Sequence, residues 1–125
     1  MDVSQIDLQQ LRVKHIFFKT KVRALLYGGT YDEALFSDKS PVTAWLNTTG
    51  KQRYAHYPET SELASLHQGL IILAQSLYRQ YCSGNIEQAH EMLKDMDQQS
   101  ERFLVLLSKV EQEVLGNTIA GADAR

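Results

Sequence analysis

Cysteine is almost absent from this chain of 125 residues, which has only Cys82. A single cysteine excludes an internal disulfide and fits a reducing compartment, so we expect a cytoplasmic protein. Long apolar runs are absent as well, because the longest ones, Leu70–Ala74 and Phe103–Leu107, are far too short to cross a bilayer. The polar, acidic stretch 1–10 does not have the pattern of a secretory signal.

Neither sign of charge is in large excess, since 13 Lys and Arg stand against 15 Asp and Glu, for a formal charge of -2. This balance gives no electrostatic reason to expect nucleic acid or an anionic membrane as a partner. The hydrophobic fraction of 43% and the charged fraction of 22% are ordinary for a soluble globular protein. The length suits one domain with a single core.

Apolar residues recur at alternating steps of three and four in three long stretches, which predicts amphipathic helices. The first predicted helix runs from Ser4, a suitable N-cap, to Tyr27, and the pair Gly28 and Gly29 stops it. Its seam, the row of inward positions, comprises Leu8, Leu11, His15, Phe18, Val22 and Leu25.

The other two long helices follow one another closely. One begins after Pro58, with Thr60 or Ser61 as its N-cap, and ends at Gly84. The next begins at the cap Asn85 and ends at Gly116. Their seam positions are Leu63, Leu66, His67, Leu70, Ala74, Leu77 and Tyr81 in the former, and Ile86, Ala89, Leu93, Met96, Ser100, Phe103, Leu107, Val110 and Val114 in the latter.

A short helix is predicted between the first two long ones. Ser40 is its N-cap, Pro41 fits the first helical position, and Gly50 marks its end. The polar stretch 51–58, which contains Tyr54 and Tyr57, is interpreted as a surface link.

Three long helices, one short helix and no strand pattern predict an all-α, four-helix bundle in up-down antiparallel order, forming a single domain over residues 1–116. The tight Gly84-Asn85 connection requires the two helices that it joins to be antiparallel neighbours. We expect residues 117–125 to be a disordered tail.

Two of the four histidines, His15 and His67, occupy seam positions on different long helices, so they could approach one another inside the bundle. A buried histidine pair is costly unless a metal, a carboxylate, water or a hydrogen-bonding neighbour satisfies its nitrogens. Zinc requires about four nitrogen, sulfur or carboxylate ligands, so two histidines are half a site. His56 and His90 are interpreted as solvated.

Five features of the sequence together form a recognisable pattern: Lys14–Lys19, the stretch Ser40–Leu46, the helix around Leu63, Leu66 and His67, the pair Gly84-Asn85, and Ala89. In these features and their spacing the chain resembles the chemoreceptor zinc-binding (CZB) domains over roughly residues 10 to 112. The first is close to the opening His-x-x-Phe/Trp-Lys pattern of the family, and the second to its Cys-x-x-Gly-x-Trp pattern.

The resemblance implies that His15 and His67 are zinc ligands. The position of the ligating cysteine of the family holds Ser40, and the position of its remaining histidine ligand holds Ile71, neither of which suits zinc. Cys82 lies about 22 Å along the same helix from His67 at ~1.5 Å per residue, too far to replace the sulfur. His56 is the better substitute. We therefore expect zinc to be bound weakly or lost.

CZB domains are regulatory modules of bacterial signalling, found on chemoreceptors and diguanylate cyclases, and they form dimers. The resemblance thus implies a sensory or regulatory module of the chemotaxis or cyclic-di-GMP type, a homodimer, and a signalling protein as partner. The chain has no room for a receptor signalling domain or a cyclase domain, so we expect a stand-alone copy. The alternative is a metal-free four-helix module for protein interaction or dimerisation, with His15 and His67 packed and hydrogen-bonded.

An enzyme is the third class, and the sequence argues against it. No nucleophile–base pairing or phosphate-binding glycine loop is evident. One Glu-x-x-His match, Glu87–His90, resembles half of a diiron motif but has no second copy, and it is interpreted as a solvated helix face.

Overall fold

The computed structural model describes residues 3–123, with side chains as far as Gly116. This part of the chain is all-helical and contains no strand, which confirms the predicted class. Its elements are α1 (Val3–Leu25), α2 (Pro41–Trp45), a π-helical turn (Leu46–Gly50), α3 (Lys51–Arg53), α4 (Pro58–Cys82) and α5 (Ile86–Asp123). Within the described residues, no helix is long and apolar enough to cross a membrane.

Helix α1 ends at Leu25, two residues before the predicted Tyr27, although the glycine pair that follows stops it as predicted, and its predicted cap is wrong. Ser4 lies inside α1, which is already helical at Val3, the first described residue. At the other end Gly28 adopts a left-handed φ of 83°, which glycine reaches without a Cβ clash. The Gly29 N–H donates to the Ala24 carbonyl at 2.8 Å, a C-capping bond that reverses the chain.

Two other predicted helix ends are also wrong. Pro58 is the first residue of α4, so Thr60 and Ser61 lie inside this helix rather than cap it. Proline suits this position because its missing N–H would have had no intrahelical partner. Gly116 does not end α5, whose backbone stays helical to Asp123, through most of the segment predicted as a tail. Residues 124 and 125 lie outside the described part of the chain.

The long helices pack side by side. Helices α4 and α5 are antiparallel neighbours, because only three residues join them and Gly84 turns the chain with a φ of 85°. Helix α1 runs antiparallel to α5, as shown by two ion pairs between them, Arg12 with Glu111 and Arg23 with Asp97. Helix α2 contacts both α1 and α4.

The apolar interior divides into two clusters along the helices. The first, near the Gly84 end, is Phe18, Val22, Leu25, Leu26, Leu35, Phe36, Leu70, Ile71, Ala74, Leu77, Ala89, Leu93 and Met96. The second, near the opposite end, is Leu8, Leu11, Val42, Trp45, Leu46, Tyr54, Tyr57, Leu63, Phe103, Leu107, Val110 and Val114. Between the two clusters each long helix contributes one buried polar residue, namely His15 on α1, His67 on α4 and Ser100 on α5.

The predicted surface link 51–58 is wrong for its two tyrosines, since Tyr54 and Tyr57 are buried. The short helix also continues past Gly50 into α3. The Tyr54 hydroxyl donates to Asp7 Oδ2 at 2.9 Å, and Arg53 Nη1 donates to the same oxygen at 2.7 Å. These bonds fasten the segment to the start of α1.

Replacing Tyr54 with Phe should lower the free energy of unfolding by about 1 kcal/mol, because a buried carboxylate oxygen of Asp7 loses one of its two donors. Urea denaturation followed by circular dichroism measures this. The matched control is Tyr27→Phe, at an exposed tyrosine, which should change stability by less than about 0.5 kcal/mol. Equal effects of the two substitutions would contradict a specific role for the Tyr54 hydroxyl.

Candidate functional site

The two seam histidines lie in the middle of the molecule. His15 on α1 and His67 on α4 are 0% and 1% exposed. Both lie between the two apolar clusters, since His15 stacks on Phe103 of one and His67 meets the ring of Phe18 of the other edge-on. The predicted inward placement of both is confirmed, whereas their role as metal ligands stays a prediction.

His15 forms its hydrogen bond across the interface between α1 and α5. Its Nε2 lies 2.8 Å from the Oγ of Ser100, which is fully buried. The imidazole ring is parallel to the ring of Phe103, with 4.2 Å between centroids and 6° between planes. The stacked ring and the hydroxyl together fix the orientation of His15.

His67 is held from the other side by the start of α2. Its Nε2 lies 2.7 Å from the Oγ of Ser40. Ser40 is also the predicted N-cap, which is confirmed, because its Oγ accepts from the Thr43 N–H at 3.1 Å. A further contact of 3.1 Å joins the Ser40 and Thr43 hydroxyls. One serine therefore caps a helix and binds a core histidine.

The hydroxyl proton of Ser40 decides which tautomer His67 adopts. Ser40 has one proton, so when its hydroxyl donates to Thr43, the Nε2 of His67 must be the donor to Ser40. When Ser40 donates to His67 instead, the ring proton is on Nδ1. Either way, Nδ1 of His67 is buried with no partner among the described residues, and so is Nδ1 of His15. A buried nitrogen without a partner is costly.

Burial keeps both rings neutral at pH 7. Desolvation, together with the nearby cations Lys19 and Arg12, lowers the pKa of His15 to about 4. Desolvation also lowers the pKa of His67 to about 3, with a contribution from the neighbouring His15. The neutral form is the one that binds metals and accepts hydrogen bonds.

The residues around the histidines do not fit a four-ligand zinc site. In the described part of the chain, no three or more His, Cys, Asp and Glu side chains group closely enough to hold a metal ion. The polar atoms beside the pair are hydroxyls, which are poor zinc ligands. Ile71, where the resemblance to CZB domains implies a histidine ligand, is 3% exposed and belongs to an apolar cluster.

The other candidate ligands lie elsewhere. His56 is exposed and packs against Tyr57, so the structure does not bring it to the buried pair as a substitute ligand. His90 packs edge-on against Tyr27, with 6.2 Å between centroids. Cys82 is exposed at the end of α4, away from the pair as its sequence position predicts.

Ser100 is the site residue whose role the sequence did not reveal. It fills a seam position of α5, and a polar residue in an apolar seam is the signal that could have assigned it as a partner of His15. Pairing Ser100 with His15 required knowledge of the register between α1 and α5.

Comparisons of the chain with family models, with curated proteins and with solved structures give no match. The resemblance to CZB domains therefore rests on the residues quoted for it.

Proposed function

We propose that this chain is a CZB-like, non-catalytic regulatory module of bacterial signalling, with a degenerate zinc site at His15 and His67. Its fold would be an up-down antiparallel four-helix bundle, with the short segments from α2 to α3 as the fourth member. The support is one observation, the two buried, neutral histidines that occupy two of the four ligand positions of the family.

The mechanism that these residues support is a change in helix packing. His15 links α1 to α5 through Ser100, and His67 links α4 to the start of α2 through Ser40. The two bonds thus join four pieces of the fold at one level. A partner protein that binds one packing of these helices better than another shifts the population toward it. No step of this mechanism requires a bound metal.

The test is metal content together with zinc-dependent thermal stability. A degenerate site should hold zinc weakly, so that the protein loses it on dialysis and the melting temperature rises only with excess zinc. An excess of about tenfold over Kd stabilises the folded state by ~1.4 kcal/mol. His15→Ala and His67→Ala should both abolish this rise. The exposed His56→Ala is the matched control and should leave it intact.

The alternative function is a metal-free interaction or dimerisation module, and the observation that favours it is that both Nε2 atoms are already bonded to serine hydroxyls. Melting temperatures that do not respond to zinc in any variant would establish this alternative. Stoichiometric zinc that survives dialysis would contradict the degenerate site, because it requires further ligands.

A further inference from the structure

A groove of about 660 Å³ runs along the outer face where α4 and α5 pack together. Large apolar side chains and one carboxylate, Glu62, line it on α4, and two charged side chains line it on α5. The apolar ones are Leu66, Ile72 and Leu73 around Gly69, and the charged pair on α5 is Asp95 and Arg102. Ile72 is 61% exposed, one of the more exposed large apolar residues in the described part of the chain.

Gly69 lies in the middle of α4 and of this groove. Glycine is among the residues least suited to a helix interior, because it loses the most backbone freedom. A Cβ built at Gly69 meets no atom within 4 Å, so nothing within the described chain requires glycine there. A side chain is thus absent where the groove is open to solvent, which suits the close approach of a second backbone.

Two of the three charges in the groove, those on α5, are arranged about its centre. Because α4 and α5 are antiparallel, the stretch of α5 opposite Gly69 is at Gln98 and Gln99. Asp95 and Arg102 lie on either side of that point, about 10 Å apart along the helix at ~1.5 Å per residue. Both are exposed, and neither forms an ion pair with another described residue.

We propose that this groove is the surface through which two copies of the chain associate. A two-fold axis in the plane of the interface, crossing the helices at Gly69, packs α4 against α4 and α5 against α5, both antiparallel. Such an axis exchanges the two ends of the groove. Arg102 of each copy then faces Asp95 of the other, Leu66 faces Ile72, and Glu62 faces the hydroxyl-bearing Ser76. The surface is self-complementary, as an isologous contact must be.

This assignment deepens the proposed function, since it names the surface by which the module dimerises. It does not depend on zinc, so its failure and that of the histidine site are separately visible. The face spans about 24 Å by 20 Å, given the ~1.5 Å rise per residue from Ser61 to Ser76 and a helix diameter of ~10 Å. A contact of this size is at the low end of specific interfaces, so we expect a weak, concentration-dependent dimer.

Charge reversal tests the pairing, with sedimentation equilibrium over a wide concentration series as the measurement. Asp95→Arg and Arg102→Asp should each weaken the dimer at least about tenfold, because like charges then face each other twice. The double variant Asp95→Arg/Arg102→Asp should recover wild-type affinity. An equal mixture of the two single variants should also associate, since opposite charges again meet at both ends.

Two further variants separate this surface from the others. Gly69→Gln should weaken the dimer at least about tenfold, because two side chains would meet at the axis, while the monomer has open space for one. Phe17→Glu, on the exposed face of α1, is the control and should leave the dimer unchanged. Circular dichroism and melting temperature verify that each variant folds.

Three results would overturn the assignment. One is wild-type protein that stays monomeric at every concentration. Another is a double variant that fails to recover the association lost in the single variants. The last is a dimer that Phe17→Glu disrupts and the groove variants do not, which would place the contact on α1.

Discussion

Lowering the pH from about 7.5 to about 5 should reduce the free energy of unfolding by roughly 4 kcal/mol, near 2 kcal/mol for each buried histidine. The folded-state pKa values of about 4 for His15 and about 3 for His67 lie below the ordinary value of 6.5. The unfolded chain therefore takes up protons first. Stability is complete above about pH 6.5 and is lost as the pH falls toward the folded-state values.

Urea denaturation at a series of pH values measures this dependence. The window between about pH 7 and 5 isolates histidines, because most carboxyl groups titrate below it. The control variant His15→Leu/Ser100→Ala removes one titrating ring together with the hydroxyl that it binds, so about half of the loss should disappear. A free energy of unfolding that stays constant down to pH 5 would contradict the burial of the two neutral rings.

Installing the four zinc ligands that the resemblance to CZB domains implies should make the stability of this protein strongly dependent on zinc. The variant is Ser40→Cys/Ile71→His. The Oγ of Ser40 is 2.7 Å from His67 Nε2, so a thiolate there would lie beside that ring. Position 71 is one helical turn beyond His67, a spacing that puts two histidines on one face. With His15 the variant has four ligands of the types that zinc prefers.

We expect zinc at about a thousandfold excess over Kd to stabilise this variant by ~4 kcal/mol, read as a rise in melting temperature. Without zinc the variant should be less stable than the wild type, because a polar ring replaces the buried Ile71. Adding His15→Ala is the control and should remove most of the response. A double variant that does not respond to zinc would show that positions 15, 40, 67 and 71 do not converge.

The helices and much of the core were predictable because apolar periodicity reports directly on the buried face of a helix. The cap at Ser4 and the helix end at Gly116 were not, because the cap preference of serine and the helix-breaking tendency of glycine are each worth only about 1 kcal/mol, too little to fix a helix end alone. The burial of Tyr54 and Tyr57 was missed because a short segment shows no periodicity. Tyr54 bonds to Asp7, which is distant in sequence, and stacks on Trp45, while Tyr57 packs near the ring of Tyr54.

The candidate site was predictable in part. Seam positions placed His15 and His67 inside, and the N-cap role of Ser40 followed from the proline after it. The pairing of each ring with a hydroxyl was not predictable, because the register between two helices follows from the packing of all their side chains. Ser100 was visible as an exception to an apolar seam, but nothing in its own helix indicated which residue it faces.

The polar residues between the two apolar clusters fix the register of the long helices relative to one another. Leucine and other aliphatic side chains pack acceptably in several arrangements, so an apolar seam alone permits a helix to slide by one turn. In such a shifted state His15 and Ser100 would part, as would His67 and Ser40, and each buried group would lack a partner. The hydroxyls and imidazoles between the clusters thus select one register of the helices among those that the apolar residues tolerate. A single buried polar residue does the same in a coiled coil.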